Sequence, residues 1–157
     1  MKTLVVYSTK HGATGSCARK IAAVLGAEAF DLGNGKKPPD LSLFDSVVIG
    51  TAIYMGKGMP AALHFCEANL AALAEKRLGL FVCGLRETDA EKELAAAFPA
   101  PLAQRARVKS FLGGSIDYPS LGLREKLVTR AIMGKTESFS TITGTRIKDF
   151  AEKVRAA

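Results

Sequence analysis

The chain has 157 residues, 48% apolar and 24% charged, with a formal net charge of +7. This composition excludes a disordered or low-complexity chain, and the length suits one domain, residues 1–157, with a sizeable core. No apolar stretch approaches the roughly 20 residues of a membrane-spanning helix, and Leu4–Tyr7 is too short for a signal-peptide core, so the expected location is cytoplasmic.

Cys17, Cys66 and Cys83 are odd in number and form no C-x-x-C. They read as reduced, buried apolar side chains rather than as a disulfide framework or zinc site. The positive charge is concentrated from Arg105 onward, where eleven Lys and Arg face five Asp and Glu. Such a region suits an anionic partner such as a lipid surface, a nucleic acid or an acidic small molecule, and equally a plain solvated face.

In chain order, Leu4–Tyr7 predicts a strand buried on both faces, because it shows no polar alternation. Thr14, Ala18, Ile21 and Leu25 fall on one helical face, and Gly26 ends that helix. Glu28–Leu32 is a weak second strand, followed by the turn-rich Gly33–Asp40. Ser46–Gly50 is the third strand. Met59-Pro60 opens a helix whose buried face is Leu63, Cys66, Leu70 and Leu73. His64 in that helix reads as structural. Lys76–Gly84 is a fourth strand, and Thr88 has capping-box spacing to Glu91 at the start of an acidic helix. Arg107–Gly114 is a fifth strand, followed by an extra segment, Ser120–Gly134, and a last helix, Thr145–Ala157. Strands alternating with helices predict a doubly wound α/β fold with helices on both faces of a parallel sheet.

Ligands of such folds sit outside the carboxyl ends of the strands. Four loops qualify here: Ser8–Thr14, Thr51–Gly58, Leu85–Thr88 and Ser115–Pro119. The first offers the hydroxyls of Ser8, Thr9 and Thr14, with Gly12 for close backbone approach, before a helix N-terminus, and so suits a phosphate. Lys10 and His11 could add charge. Neither G-x-x-x-x-G-K-[ST] nor G-x-G-x-x-G is present, and Gly134-Lys135-Thr136 lacks both the first glycine and a preceding strand. The second loop sets Ile53, Tyr54 and Met55 where a flat ring would stack, and Leu85 and Arg86 offer a second wall with Cys83 and Gly84 inside it.

Ser8–Thr14 resembles the phosphate-binding loop of flavodoxins, and Val48–Tyr54 resembles their ring-stacking loop. Within that superfamily the chain is most similar to the menaquinone-dependent protoporphyrinogen oxidases. The resemblance rests on VVYSTKHGAT, VVIGTAIYMGK and GGSIDYP followed by a basic helix ending IMGKTE. It implies a five-stranded parallel sheet in the order 2-1-3-4-5 and non-covalently held FMN. It also implies oxidation of protoporphyrinogen IX, in haem biosynthesis, with electrons passed to a membrane quinone. Carried over, Ser8, Thr9, Gly12, Ala13 and Thr14, aided by Lys10 and His11, would hold the phosphate. Thr51, Ala52, Ile53, Tyr54, Met55 and Gly56 would flank the ring with Gly84, Leu85 and Arg86. Tyr118, Arg124, Lys126 and Arg130 would form a substrate or partner surface. The stretch Ser120–Lys126 is leaner in aromatic and Arg residues than in the better-known oxidases.

A flavodoxin-type electron carrier is the alternative. The basic charge and Arg86 favour the oxidase, since a cation about 4 Å from a reduced ring is worth roughly 4 kcal/mol at an effective dielectric of about 20. Glu87 would offset part of it. In Leu121–Lys135 the aligned Leu123, Leu127 and Ala131 lie among Arg124, Lys126, Arg130 and Lys135, which suits peripheral contact with an anionic membrane or packing on the sheet edge. A nucleic-acid binder is not expected, because aromatic, zinc and helix-turn-helix signals are missing.

Overall fold

The structure is a computed structural model that describes all 157 residues. Its parallel strands are β1 (Thr3–Ser8), β2 (Glu28–Asp31) and β3 (Ser46–Tyr54). A two-residue strand, β4 (Lys57–Gly58), folds back antiparallel on β3, and β5 (Arg77–Cys83) and β6 (Val108–Phe111) complete the sheet. The order is β2-β1-β3-β5-β6, which is the expected 2-1-3-4-5 once β4 is set aside.

Alternation along the strands divides the core. Leu4, Val6, Val47, Ile49, Leu78, Leu80 and Val82 point to one face; Val5, Tyr7, Val48, Phe81 and Cys83 point to the other. The first face is covered by α2 (Pro60–Ala68), α3 (Leu70–Ala74), α4 (Ala90–Ala96) and α5 (Ala100–Arg105), through Phe65, Cys66, Leu73, Ala97 and Leu102. α1 (Ala13–Leu25) and the C-terminal helix (Gly144–Ala156) cover the second through Cys17, Ile21, Ile147, Phe150 and Val154. Each large side chain fully buried here contributes about 1.5–3 kcal/mol.

The departures from the sequence reading have local causes. The helix after Pro60 breaks at Asn69, whose side-chain amide donates to the Phe65 carbonyl at 2.8 Å in competition with the backbone. His64 stands exposed on α2. Thr88 caps nothing: Glu87–Asp89 form a 3₁₀ turn and α4 starts only at Ala90. The loop Thr51–Gly58 is mostly strand, because β3 runs to Tyr54 and turns tightly into β4. In the extra segment a helix, α6, spans Leu123–Met133. The chain on either side of it is drawn together by β7 (Ser115–Ile116) pairing with β8 (Phe139–Ser140). The C-terminal helix, α7 in chain order, is capped by Thr143, whose hydroxyl accepts from the Arg146 N–H at 3.2 Å. No helix is long and apolar enough to cross a membrane.

Candidate functional site at the strand ends

The carboxyl ends of β1, β3 and β5 open into one cavity of about 690 Å³, within the range of small-molecule sites. Its first wall is the turn after β1. Gly12 stands at φ 93°, a left-handed conformation that a side chain would resist, and its N–H donates to Thr9 Oγ1 at 3.0 Å. The first hydrogen bond into α1 runs from Ser16 N–H to the Gly12 carbonyl at 2.9 Å, so the N–H groups of Ala13, Thr14 and Gly15 are not spent within the helix. Thr14 is buried and lines the cavity, and its hydroxyl makes no well-formed hydrogen bond, only a weak contact with the Cys83 thiol. Orphan donors at a positive helix end define a receptor for an anion.

The second wall is the β3–β4 hairpin. Met55 and Gly56, at φ 55° and 77°, have the sign pattern of a type I′ turn, which sets Tyr54 and Met55 outward at the cavity mouth. The Lys10 ammonium sits 3.9 Å from the centroid of the Tyr54 ring, tying this hairpin to the first turn. Opposite lie Gly84, Leu85 and Arg86. Ser8 and Thr51 do not reach the cavity. They are neighbours in the β1–β3 ladder, and Thr51 Oγ1 accepts from the Met59 N–H at 2.9 Å, which holds the hairpin base.

The third wall comes from the extra segment: Ile116, Leu121, Arg124, Val128, Ile132 and Met133. It is joined to the first wall by His11 Nε2 and Glu125 Oε2, 2.7 Å apart. α6 does not pack down on the sheet edge. Thr129 is its only buried residue, and Leu123 and Leu127 are 78% and 60% exposed. Of the expected surface residues only Arg124 lines the cavity; Tyr118 lies outside it beneath the Lys126 ammonium, and Arg130 is exposed.

The charges near the second and third walls pair differently from the sequence reading. Glu87 does not offset Arg86. Its carboxylate is taken by Arg146 of α7 at 2.6 and 3.1 Å, and this guanidinium holds the Glu87 carboxyl below the ordinary range. Asp89 meets Arg86 instead, at 3.3 Å. Both members of that pair are well exposed, so its electrostatic effect is small.

Two further groups line the cavity: Cys83, which the sequence places inside the second wall, and Glu93, which it does not single out. Cys83 lines the cavity with its sulfur 3.8 Å from Cys17, and this contact together with burial keeps the Cys83 thiol protonated well above the ordinary range. Glu93 of α4 is only 8% exposed and also lines the cavity, and its Oε2 has no partner. Burial, reinforced by Asp89, raises its carboxyl above the ordinary value. The one sequence signal was its place four residues before Ala97, on the face of α4 that turns out to be buried.

A doubly wound parallel sheet whose strand ends form an anion-receiving cavity defines an α/β protein of the mononucleotide-binding kind. The flavodoxin domain model matches residues 4–142, and the chain belongs to that family. No curated protein matches it in sequence. Among solved structures it is similar to a flavodoxin, WrbA-like protein from Agrobacterium tumefaciens, with a TM-score of 0.61 and 15% identity over 98% of this chain and 93% of that one. It is also similar to rubredoxin oxygen:oxidoreductase from Desulfovibrio gigas, with a TM-score of 0.60 and 12% identity, over 98% of this chain and 34% of that larger one. A Fusobacterium nucleatum flavodoxin bound to flavin mononucleotide gives a TM-score of 0.53 and 16% identity, over 99% of this chain and 98% of that one. At these identities the likeness is one of fold.

Proposed function

We propose that residues 1–157 form one FMN-binding domain and that the protein is an FMN-dependent oxidoreductase of the protoporphyrinogen oxidase type. In this reading it takes electron pairs from a reduced small molecule and delivers them to a quinone. Membership of the flavodoxin family supports the cofactor, as does the FMN held by the Fusobacterium nucleatum flavodoxin. The residues present fit it, because the orphan Thr14 hydroxyl and the free N–H groups of Ala13–Gly15 suit a phosphate dianion. Bound FMN supplies reversible two-electron chemistry. Thr9 shapes the phosphate turn, Lys10 and His11 add positive charge, and the Ala52–Gly56 hairpin and Gly84–Arg86 form the walls for the ring.

The observation that carries the step from flavin holder to oxidoreductase is the apolar third wall. Leu121, Val128 and Ile132 extend the cavity beyond what the phosphate turn and ring walls enclose, and Arg124 stands at its edge. An apolar, anionic substrate would find both its surfaces met there. The exposed Leu123 and Leu127, flanked by Lys126 and Arg130, would rest on an anionic membrane and bring the cavity to a lipid-dissolved quinone. The alternative is a flavodoxin-type carrier, toward which the exposed Arg86–Asp89 pair tips the balance only slightly, by offsetting a small part of the cation expected beside the ring.

The test is the visible spectrum of the purified protein, followed by anaerobic turnover of protoporphyrinogen with a quinone. Flavin bands with turnover are the expected result. Flavin bands without turnover, with electrons passed only to partner proteins, would establish the carrier, and a colourless protein that fails to take up FMN would overturn both. Co-sedimentation with vesicles of anionic lipid, lost in L123E/L127E while the flavin spectrum is kept, checks the membrane contact.

A further inference from the structure

Two side-chain polar atoms in the protein are buried without a well-formed hydrogen bond, Thr14 Oγ1 and Glu93 Oε2, and both residues line the same cavity. Unpaired buried polar atoms are uncommon and call for a physical account. A phosphate accounts for Thr14. It cannot account for Glu93, since two anions would repel.

Glu93 sits beside the end of β5. A β-carbon built on Gly84 would lie 2.6 Å from Glu93 Oε2 and 3.0 Å from the Phe111 ring, so the carboxyl is held against the backbone of the ring-flanking loop in apolar surroundings. Its charged neighbours are Arg86 and Asp89 in the adjoining turn, already paired with each other. Across the cavity stand Lys10 and Arg124, and His11 and Glu125, which are also paired. No cation is committed to Glu93. A carboxyl so placed changes protonation state readily when the charge in the cavity changes.

We propose that Glu93 is the proton-exchange group of this cavity: its carboxylate takes up one proton from solvent when the bound ring gains electrons, and returns it when the ring is reoxidised. This rests on the FMN reading above. The balance is simple. The reduced substrate would give up two electrons and two protons: the electrons and one proton go to the ring, and the second proton, exchanged through solvent, converts Glu93 from carboxylate to carboxylic acid with no bond between Glu93 and the ring. The proton cancels charge that the low-dielectric cavity would otherwise have to hold uncompensated.

The experiment follows the Glu93 carboxyl directly, by NMR of protein with ¹³C-labelled glutamate, in the cofactor-free, oxidised and reduced forms. The cofactor-free protein is expected to show one glutamate titrating above the others, absent in E93Q. Reduction is expected to raise that group's proton affinity about tenfold or more, one pK unit or greater. The pH dependence of the flavin midpoint potential is expected to break at the same pH, with the break lost in E93Q and restored at a shifted pH in E93D. Identical titration of Glu93 in the oxidised and reduced forms, or an unchanged break in E93Q, overturns the proposal. A wild-type protein without flavin bands overturns the FMN reading and this inference together; flavin bands with an unmoved Glu93 overturn this inference alone.

Discussion

At the scale of single residues, Thr14 gives a prediction in which stability and binding move in opposite directions. Its hydroxyl is buried with no well-formed partner, so Thr14→Val, close to it in shape, removes a desolvation cost at the loss of at most a weak contact with the Cys83 thiol. Stability without FMN is expected to rise by up to about 1 kcal/mol, read from denaturant midpoints. FMN affinity is expected to fall about 10- to 100-fold, the worth of one charge-assisted hydrogen bond, read by fluorescence titration. A parallel loss of both would mean that the hydroxyl serves the fold instead. Gly50 makes the opposite case. A β-carbon there would collide with the ring of Phe81, which is fully buried and set edge-on to Phe150 at 5.7 Å. Gly50→Ala is expected to cost about 1–3 kcal/mol. Adding Phe81→Leu should recover part of that loss, giving a non-additive double-mutant cycle in urea melts.

At the scale of elements, the β3–β4 hairpin carries its own strain. Met55 adopts φ 55° where asparagine or glycine is preferred, and its side chain is 72% exposed, so little packing would be lost on replacement. Met55→Asn is expected to stabilise the protein by roughly 0.5–1 kcal/mol, seen as a higher denaturant midpoint at unchanged slope. This turn also shows where the sequence was legible and where it was not. The central strands could be read because continuous β-branched and apolar runs such as Ser46–Gly50 leave few other structures open. The phosphate turn could be read because hydroxyls and Gly12 precede a helical period. The hairpin was missed because Met carries no turn signal; here the strand pairing overrides the residue's preference. Thr88 misled because a capping pattern depends on where the helix begins, and the 3₁₀ turn at Glu87–Asp89 displaces that start. The β7–β8 pairing joins residues more than twenty positions apart through two-residue strands, too short to leave a periodic trace. Glu93 was hidden for a similar reason: its carboxyl lies against Gly84, at the end of β5 and outside its own helix.

At the scale of the whole molecule, the shifted groups shape the dependence of stability on pH, and Glu93 runs against the other carboxylates. Asp40, held low by the Ser42 N–H and hydroxyl, and Glu87, held low by Arg146, contribute stability above the ordinary carboxylate range and lose it as pH falls through their folded values. Cys66, pushed up to about 12 by burial, loses its contribution as pH rises from the ordinary thiol range toward that value. Glu93 is raised, chiefly by burial, so between its unfolded and folded values the native state binds more protons than the unfolded state. Stability therefore falls as pH rises through that window. E93Q removes this one titration. Its stability relative to the parent is expected to be independent of pH in acid below the ordinary glutamate range. It should grow as pH rises through the raised value of Glu93, then level off, with urea midpoints giving the curve at unchanged slope. A pH-independent offset would mean that Gln merely packs differently. The charge of +7 favours ionised carboxylates everywhere, so screening by salt would, if anything, raise the Glu93 value further. A growth of the E93Q advantage that survives salt thus traces the shift to burial at the cavity wall. The protein then carries at this wall a carboxyl whose ionised form costs stability, in a place where added negative charge on a ligand would deepen that cost and favour protonation.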